Sequence, residues 1–204
     1  MKPRLIGIAG PSCSGKTELA RALASRLGAP ILGLDSYYRD LPHLPPARRA
    51  RLNFDEPAAL DGALLIEHVR RLKEGLPAEK PVYDFATHTR TAVIETVEPR
   101  AYIVVEGLFA LYWEELRRLY TLSVFVKLDD AACYRRRLER DVRERGRTPE
   151  SVLEQYTATV RPMAQRYVLP AETVADVVVG GDEPLEKSVV QVLERLPSPA
   201  AGNR

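Results

Sequence analysis

The sequence predicts an α/β protein built on a doubly wound, mostly parallel sheet with helices on both faces. Three observations lead there. Short apolar runs bounded by turn residues alternate with stretches of helical periodicity. The most apolar runs, Leu5 to Ala9 and Tyr102 to Val105, lack polar alternation, as strands covered on both faces do. A glycine-bearing turn, Gly10 to Gly15, stands between the first of these runs and a helix start.

Taken in order, Leu5 to Ala9 reads as the first strand. Thr17 to Leu27 is its helix, with Leu19, Leu23 and Leu27 on one face and Gly28 as the stop. Ile31 to Leu34 is a second strand, and Pro42 to Pro46 is loop. Asp61 is placed to cap a helix that turns Leu65, Val69 and Leu72 inward and ends at Gly75. Val82 to Phe85 and Val93 to Val97 form a β-ribbon around the tip Thr87-His88-Thr89-Arg90. Strands follow at Tyr102 to Val105 and Leu122 to Leu128. Asp130 opens an arginine-rich helix that stops near Gly146, and Thr148-Pro149 starts another, which Pro162 is expected to kink or break. Val177 to Val179 closes the sheet and Pro184 to Leu196 is a final amphipathic helix. The reading is one domain over residues 1–196, with a frayed tail over 197–204.

The 204 residues, 45% of them hydrophobic, suffice for one good core. A formal net charge of +2 gives no global reason to expect nucleic acid or membrane as partner. Cys13 and Cys133 are too few for a disulfide framework, no apolar run has the length of a membrane span, and the N-terminus runs straight into a strand. A cytoplasmic setting is expected.

Gly10-Pro11-Ser12-Cys13-Ser14-Gly15-Lys16-Thr17 matches G-x-x-x-x-G-K-[ST] between a buried strand and a helix, as a P-loop NTPase-type fold requires. In such a loop successive backbone N–H groups face phosphate oxygens and the helix terminus adds partial positive charge. Lys16 reaches the β- and γ-phosphates, and the Thr17 hydroxyl ligates magnesium. ATP, with GTP as the alternative donor, and Mg²⁺ are the ligands this implies. Cys13 reads as a small filler. The guanine-specific N-K-x-D element is absent, and the strand that faces the metal ends in Glu106 rather than aspartate.

An acceptor kinase also needs a carboxylate near the γ-phosphate and arginines that close over the transferred group. Asp35, at the carboxyl end of the second strand, suits the first role and a share of the metal. Seven arginines between Arg135 and Arg147 suit the second as a helical lid, with Arg136, Arg140 and Arg143 on one helical face. Taken alone, Asp35 reads equally well as a turn cap, and the arginines as a solvated face or a nucleic-acid patch.

Further blocks carry a resemblance. They are Asp35-Ser36-Tyr37-Tyr38-Arg39, Asn53-Phe54-Asp55-Glu56-Pro57 with Asp61, Pro81 to Phe85 with His88 and Arg90, Val105 to Ala110, Arg140-Asp141 with Glu144 to Arg147, Gln155-Tyr156 with Val160 to Met163, and Ala175-Asp176. In this order they resemble the uridine-cytidine kinase family over Leu5 to Val179. The resemblance implies transfer of the ATP γ-phosphoryl group to the 5′-hydroxyl of a pyrimidine ribonucleoside, as in pyrimidine salvage. It implies Asp35 as base, Asp55 on a ribose hydroxyl, Tyr38 beside the substrate, and Tyr83 and His88 around the pyrimidine. Arg137, Arg147 and Gln155 complete the nucleoside site, while Arg140 and Arg145 approach the phosphates. A homotetramer and feedback by pyrimidine nucleoside triphosphates are also implied. Two departures stand out: Pro11 where glycine is common, and the short acidic run Gly180 to Glu183. The rival readings are a P-loop kinase of a sugar phosphate or pantothenate-like acceptor, a non-catalytic nucleotide-binding regulator, and an RNA-binding protein using the arginine helix.

Overall fold

The computed structural model describes residues 2–49 and 51–197. The tail expected from Pro197 lies, beyond Pro197 itself, outside the described residues.

The chain runs β1 (Arg4–Ala9), α1 (Lys16–Leu27), β2 (Ile31–Gly33), a 3₁₀ turn Leu34–Tyr37, α2 (Pro46–Arg49), α3 (Gly62–Lys73), β3 (Ala78–Asp84), β4 (Thr89–Val97), β5 (Tyr102–Glu106), α4 (Glu114–Arg117), β6 (Leu122–Lys127) and α5 (Asp130–Arg145). It continues through α6 (Pro149–Gln155), a π-helical stretch Tyr156–Val160, α7 (Arg161–Met163), a second π-helical stretch Ala164–Val168, a 3₁₀ turn Leu169–Val174, β7 (Val177–Gly180) and α8 (Leu185–Arg195). Five strands form a parallel sheet in the order β2-β5-β1-β6-β7, and β3 and β4 form a separate antiparallel ribbon. β1 therefore lies between β5 and β6, and the chain changes direction of winding at the carboxyl edge where the P-loop leaves the sheet.

Alternation along β1 splits the core into two layers. Leu5 and Ala9 join Leu65, Val69 and Leu72 of α3 on one face. Ile6 and Ile8 join Leu19 and Leu23 of α1 and Val189 and Val192 of α8 on the other. Gly7 leaves room for the Tyr120 ring, which a Cβ there would meet at 2.3 Å. The Asp61 carboxylate accepts from Leu64 N at 3.3 Å and Thr148 Oγ1 accepts from Ser151 N at 3.3 Å, so both expected caps form.

Some expectations need correction. The second strand stops at Gly33, and Leu34 opens the 3₁₀ turn that carries Asp35. Pro46 begins the short helix α2 instead of closing a loop. The ribbon is longer on both arms, and β3 passes through Pro81 because the register shifts between Pro81 and Tyr83, where a missing N–H costs no ladder bond. Pro162 does not break its helix: the wide turn at Tyr156–Val160 immediately precedes it and makes room for the ring that a regular α-turn would crowd. Arg143 does not share the site-facing surface of Arg136 and Arg140, because its guanidinium is exposed and pairs with Glu144.

Candidate active site

The P-loop curls as its residues allow. Gly15 has φ 98°, a left-handed value that glycine adopts freely, and a Cβ at Gly10 would lie 2.6 Å from the Val126 carbonyl oxygen. Pro11 is accommodated, its carbonyl accepting from Ser14 N at 3.2 Å and from Lys16 Nζ at 3.4 Å. Gly10 and Ser14 shape the loop from within. Ser12, Cys13, Gly15, Lys16 and Thr17 line a cleft of about 1090 Å³ that extends to the ribbon tip.

Three neighbouring strands deliver oxygen donors to the loop. Thr17 Oγ1 donates to Glu106 Oε2 at 3.3 Å, and Glu106 ends β5 beside β2, whose following turn carries Asp35. Asp35 lies on the cleft floor, open to water yet surrounded by protein. That surrounding pushes its carboxyl above the ordinary aspartate range, against the pull of Lys16, Arg145 and Arg140. Glu106 is raised by burial as well, with Lys16 opposing and the Asp35 charge adding to the rise. A hydroxyl and two carboxylates that repel one another are the donor set for a hard cation. Among the described residues no group of three acidic, histidine or cysteine side chains makes a metal cage. This set therefore fits Mg²⁺, which keeps waters and takes phosphate oxygens, better than a fully protein-ligated ion.

The lid arrives from α5. Arg136 bridges the P-loop and the turn after β7, donating to Cys13 O at 3.4 Å and Gly181 O at 3.0 Å. Arg137, buried, donates to Ser12 Oγ at 3.2 Å and to Gln155 Oε1 at 3.0 Å, and Arg147 Nη1 donates to the same Gln155 oxygen. Arg140, Arg145 and Arg147 line the cleft, and Asp141 lies behind them with no exposed surface.

At the far end the ribbon supplies aromatic walls. Tyr38 meets Phe54 edge-on at 5.2 Å, and His88 stacks on Phe54 at 4.9 Å. His88 has φ 54°, a left-handed value that histidine tolerates better than most residues. Burial, then Arg49 and Arg147, hold its imidazole below the ordinary value, against Asp84. Asp55 faces the same end, its carboxyl raised by burial and lowered by Arg137. Tyr83 is buried against Tyr38 and Phe85 and does not line the cleft, so the structure places it one layer behind the expected position. Arg90 pins the ribbon by donating to Tyr38 O at 3.0 Å, Tyr37 O at 3.3 Å and Asp61 Oδ2 at 3.3 Å. The cleft-lining roles of Phe54 and Phe85 had no separate signal in the sequence, since such aromatics read alike wherever they point, whereas Arg136 lies in the cleft as the lid face predicts.

The family model for the phosphoribulokinase / uridine kinase family matches residues 5–182, from the first strand to the turn that closes on the P-loop. The chain belongs to that family. Over 193 residues it is 46% identical to the uridine kinase of Chloroflexus aggregans, covering 92% of each chain. It is 46% identical over 181 residues to the uridine kinase of Geobacillus sp. strain WCH70, covering 87% of this chain and 86% of the relative. The phosphoribulokinase of Rhodobacter spheroides shares the fold with a TM-score of 0.65 at 16% identity, over 90% of this chain and 74% of that one. As a member of this family the chain is a kinase, and residues of the P-loop and of the arginine-rich segment line one cleft. Among the described residues no helix is long and apolar enough to cross a membrane.

Proposed function

We propose that this chain transfers the γ-phosphoryl group of ATP to the ribose 5′-hydroxyl of uridine or cytidine, giving UMP or CMP and ADP. The observation that carries the acceptor is the aromatic end of the cleft. Tyr38, Phe54, Phe85 and His88 make flat walls for a base, and Asp55 with Arg137 offers an acceptor and donors at the depth of a ribose. A sugar phosphate offers nothing for such walls to stack on. The curated relatives named above are uridine kinases, and they support the same acceptor.

In this reading the P-loop N–H groups and Lys16 hold the triphosphate, and Asp35 accepts the proton of the 5′-hydroxyl as its oxygen attacks the γ-phosphorus. Arg140 and Arg145 offset the charge that develops as ADP leaves. Thr17, Glu106 and Asp35 would hold Mg²⁺, which supplies charge neutralisation at the β- and γ-phosphates. Gln155 and Arg147 complete the nucleoside contacts, and Tyr83 backs Tyr38 and Phe85. A 5′-hydroxyl is a weak nucleophile, so most of the acceleration comes from holding it in line. A cytoplasmic setting and a homotetramer belong to the proposal too, and the exposed Val93 and Ile94 on β4 are apolar surface that assembly would cover.

The test is an acceptor panel at fixed ATP and Mg²⁺ with uridine, cytidine, adenosine, ribulose 5-phosphate, glycerate and pantothenate. Phosphorylation of uridine and cytidine alone is expected. Preference for a sugar phosphate or an organic acid would overturn the acceptor assignment and leave the fold reading untouched.

A further inference from the structure

Asp141 is the one acidic residue among the described residues that is buried outright, and it is absent from the cleft wall. Four guanidinium groups converge on it. Arg140 Nε donates to Oδ1 at 2.9 Å and Arg140 Nη2 lies 2.8 Å from the same oxygen. Arg145 Nη1 lies 3.4 Å from Oδ1, while Arg147 Nη1 and Arg137 Nε lie 3.5 Å and 3.6 Å from Oδ2. Its backbone carbonyl also accepts from Gly146 N and, at 3.2 Å, from Arg147 N, so the turn that carries Arg147 closes on the same residue.

This arrangement is poor as a stability device. Asp141 Oδ2 and Arg137 Nε are buried and lack hydrogen bonds, and a buried ion cluster offsets its own desolvation only when its polar atoms are matched. One carboxylate also leaves three of the four positive charges in the cluster unbalanced. What it does achieve is geometric. Arg140 and Arg145 also reach toward Asp35 at the phosphate end, while Arg147 and Arg137, whose Nη atoms are held by Ser12 and Gln155, lie near Asp55 at the nucleoside end.

Resting on the kinase reading above, we infer that Asp141 is a positioning residue, a single buried anion that holds both arginine pairs in register so that phosphate and acceptor ends of the cleft are set together. Its own oxygens touch neither substrate.

Asp141→Asn keeps the shape and one acceptor but removes the anion. With the wild-type acceptor, kcat should fall about 10- to 100-fold, the loss that follows from misplacing groups by around an ångström. ATP affinity, measured without acceptor, should stay equal or tighten, and should depend more steeply on salt because the cleft gains positive charge. Asp141→Glu restores the charge on a longer arm, so it should bind ATP as wild type does with kcat still reduced at least tenfold. The Glu variant decides the matter if the Asn variant fails to fold. A kcat within threefold of wild type, or a fall in ATP affinity that parallels the fall in kcat and melting temperature, would overturn the inference. The acceptor assignment fails separately, by the panel result for wild type, and the comparison is then made with whatever acceptor that panel reveals.

Discussion

The imidazole of His88 stacks on the phenyl ring of Phe54, with centroids 4.9 Å apart and planes 21° from parallel. The stack fixes the ring plane while leaving both nitrogens free to choose a tautomer. Because burial, Arg49 and Arg147 favour the neutral form, one nitrogen donates and the other accepts near neutral pH. Such a ring can face the 4-carbonyl of uracil in one tautomer and the 4-amino group of cytosine in the other.

His88→Tyr is expected to skew the uridine to cytidine ratio of kcat/KM. A matched polar contact in a closed site is worth about 1–3 kcal/mol, roughly a tenfold to hundredfold change, while ATP affinity stays as in wild type. With wild type, the two nucleosides should bind equally well from pH 7 upward and lose affinity only below about pH 6.5, the ordinary imidazole value that His88 titrates beneath. An unchanged nucleoside ratio in the variant would remove His88 from the base site.

Asp35 must be ionised to take a proton, and crowding raises its carboxyl above the usual range. The acid limb of the kcat profile is therefore expected at higher pH than an ordinary aspartate would give, rising as Asp35 loses its proton, and this limb should vanish in Asp35→Asn. The variant should bind ATP nearly normally with kcat lower by orders of magnitude. Near-normal kcat would mean that Asp35 does no more than shape the 3₁₀ turn.

Tyr37 and His68 share a buried 2.9 Å hydrogen bond behind the Asp35 turn, and the Tyr37 carbonyl also receives Arg90. Tyr37→Phe should cost about 1–3 kcal/mol of stability by leaving the histidine nitrogen unmatched, with the nucleoside preference unaltered. Denaturant unfolding measures this; a midpoint equal to wild type would mean that water replaces the hydroxyl at no cost.

Gly181 packs so close to the P-loop that a Cβ would lie 2.0 Å from the Ser14 carbonyl oxygen, and its own carbonyl receives Arg136 at 3.0 Å. Gly181→Ala is expected to displace the loop and weaken ATP binding about tenfold or more, the effect of losing one charge-assisted contact, while nucleoside binding is spared. Unaltered ATP affinity would show that the loop shifts freely.

How much of this was legible beforehand differs by the kind of signal. The sheet and the P-loop follow from local patterns, since Leu5 to Ala9 must be buried and Gly15 must sit where φ is positive. The expected acidic and basic residues also line one cleft together with Tyr38 and His88, because they stand at strand ends, turns and a helix that open on the same edge of the sheet. Depth was not legible. Tyr83 and Phe85 have the same spacing signal, yet Tyr83 is buried within β3 while Phe85, just past the strand's end at Asp84, is exposed beside the cleft. Asp141 was hidden for a similar reason: within an arginine-rich helix an aspartate reads as a solvated partner, and only the packing of Arg137, Arg140, Arg145 and Arg147 around it shows a buried centre.

The most direct measurement of the central claim is ADP release from purified protein, with ATP and Mg²⁺ present, with and without uridine or cytidine, and with the phosphorylated product identified. Negligible release is expected without nucleoside or without Mg²⁺, and one ADP per 5′-monophosphate when all three are present. ADP release that is indifferent to the pyrimidine nucleoside, or a product phosphorylated elsewhere than the 5′-oxygen, would contradict it.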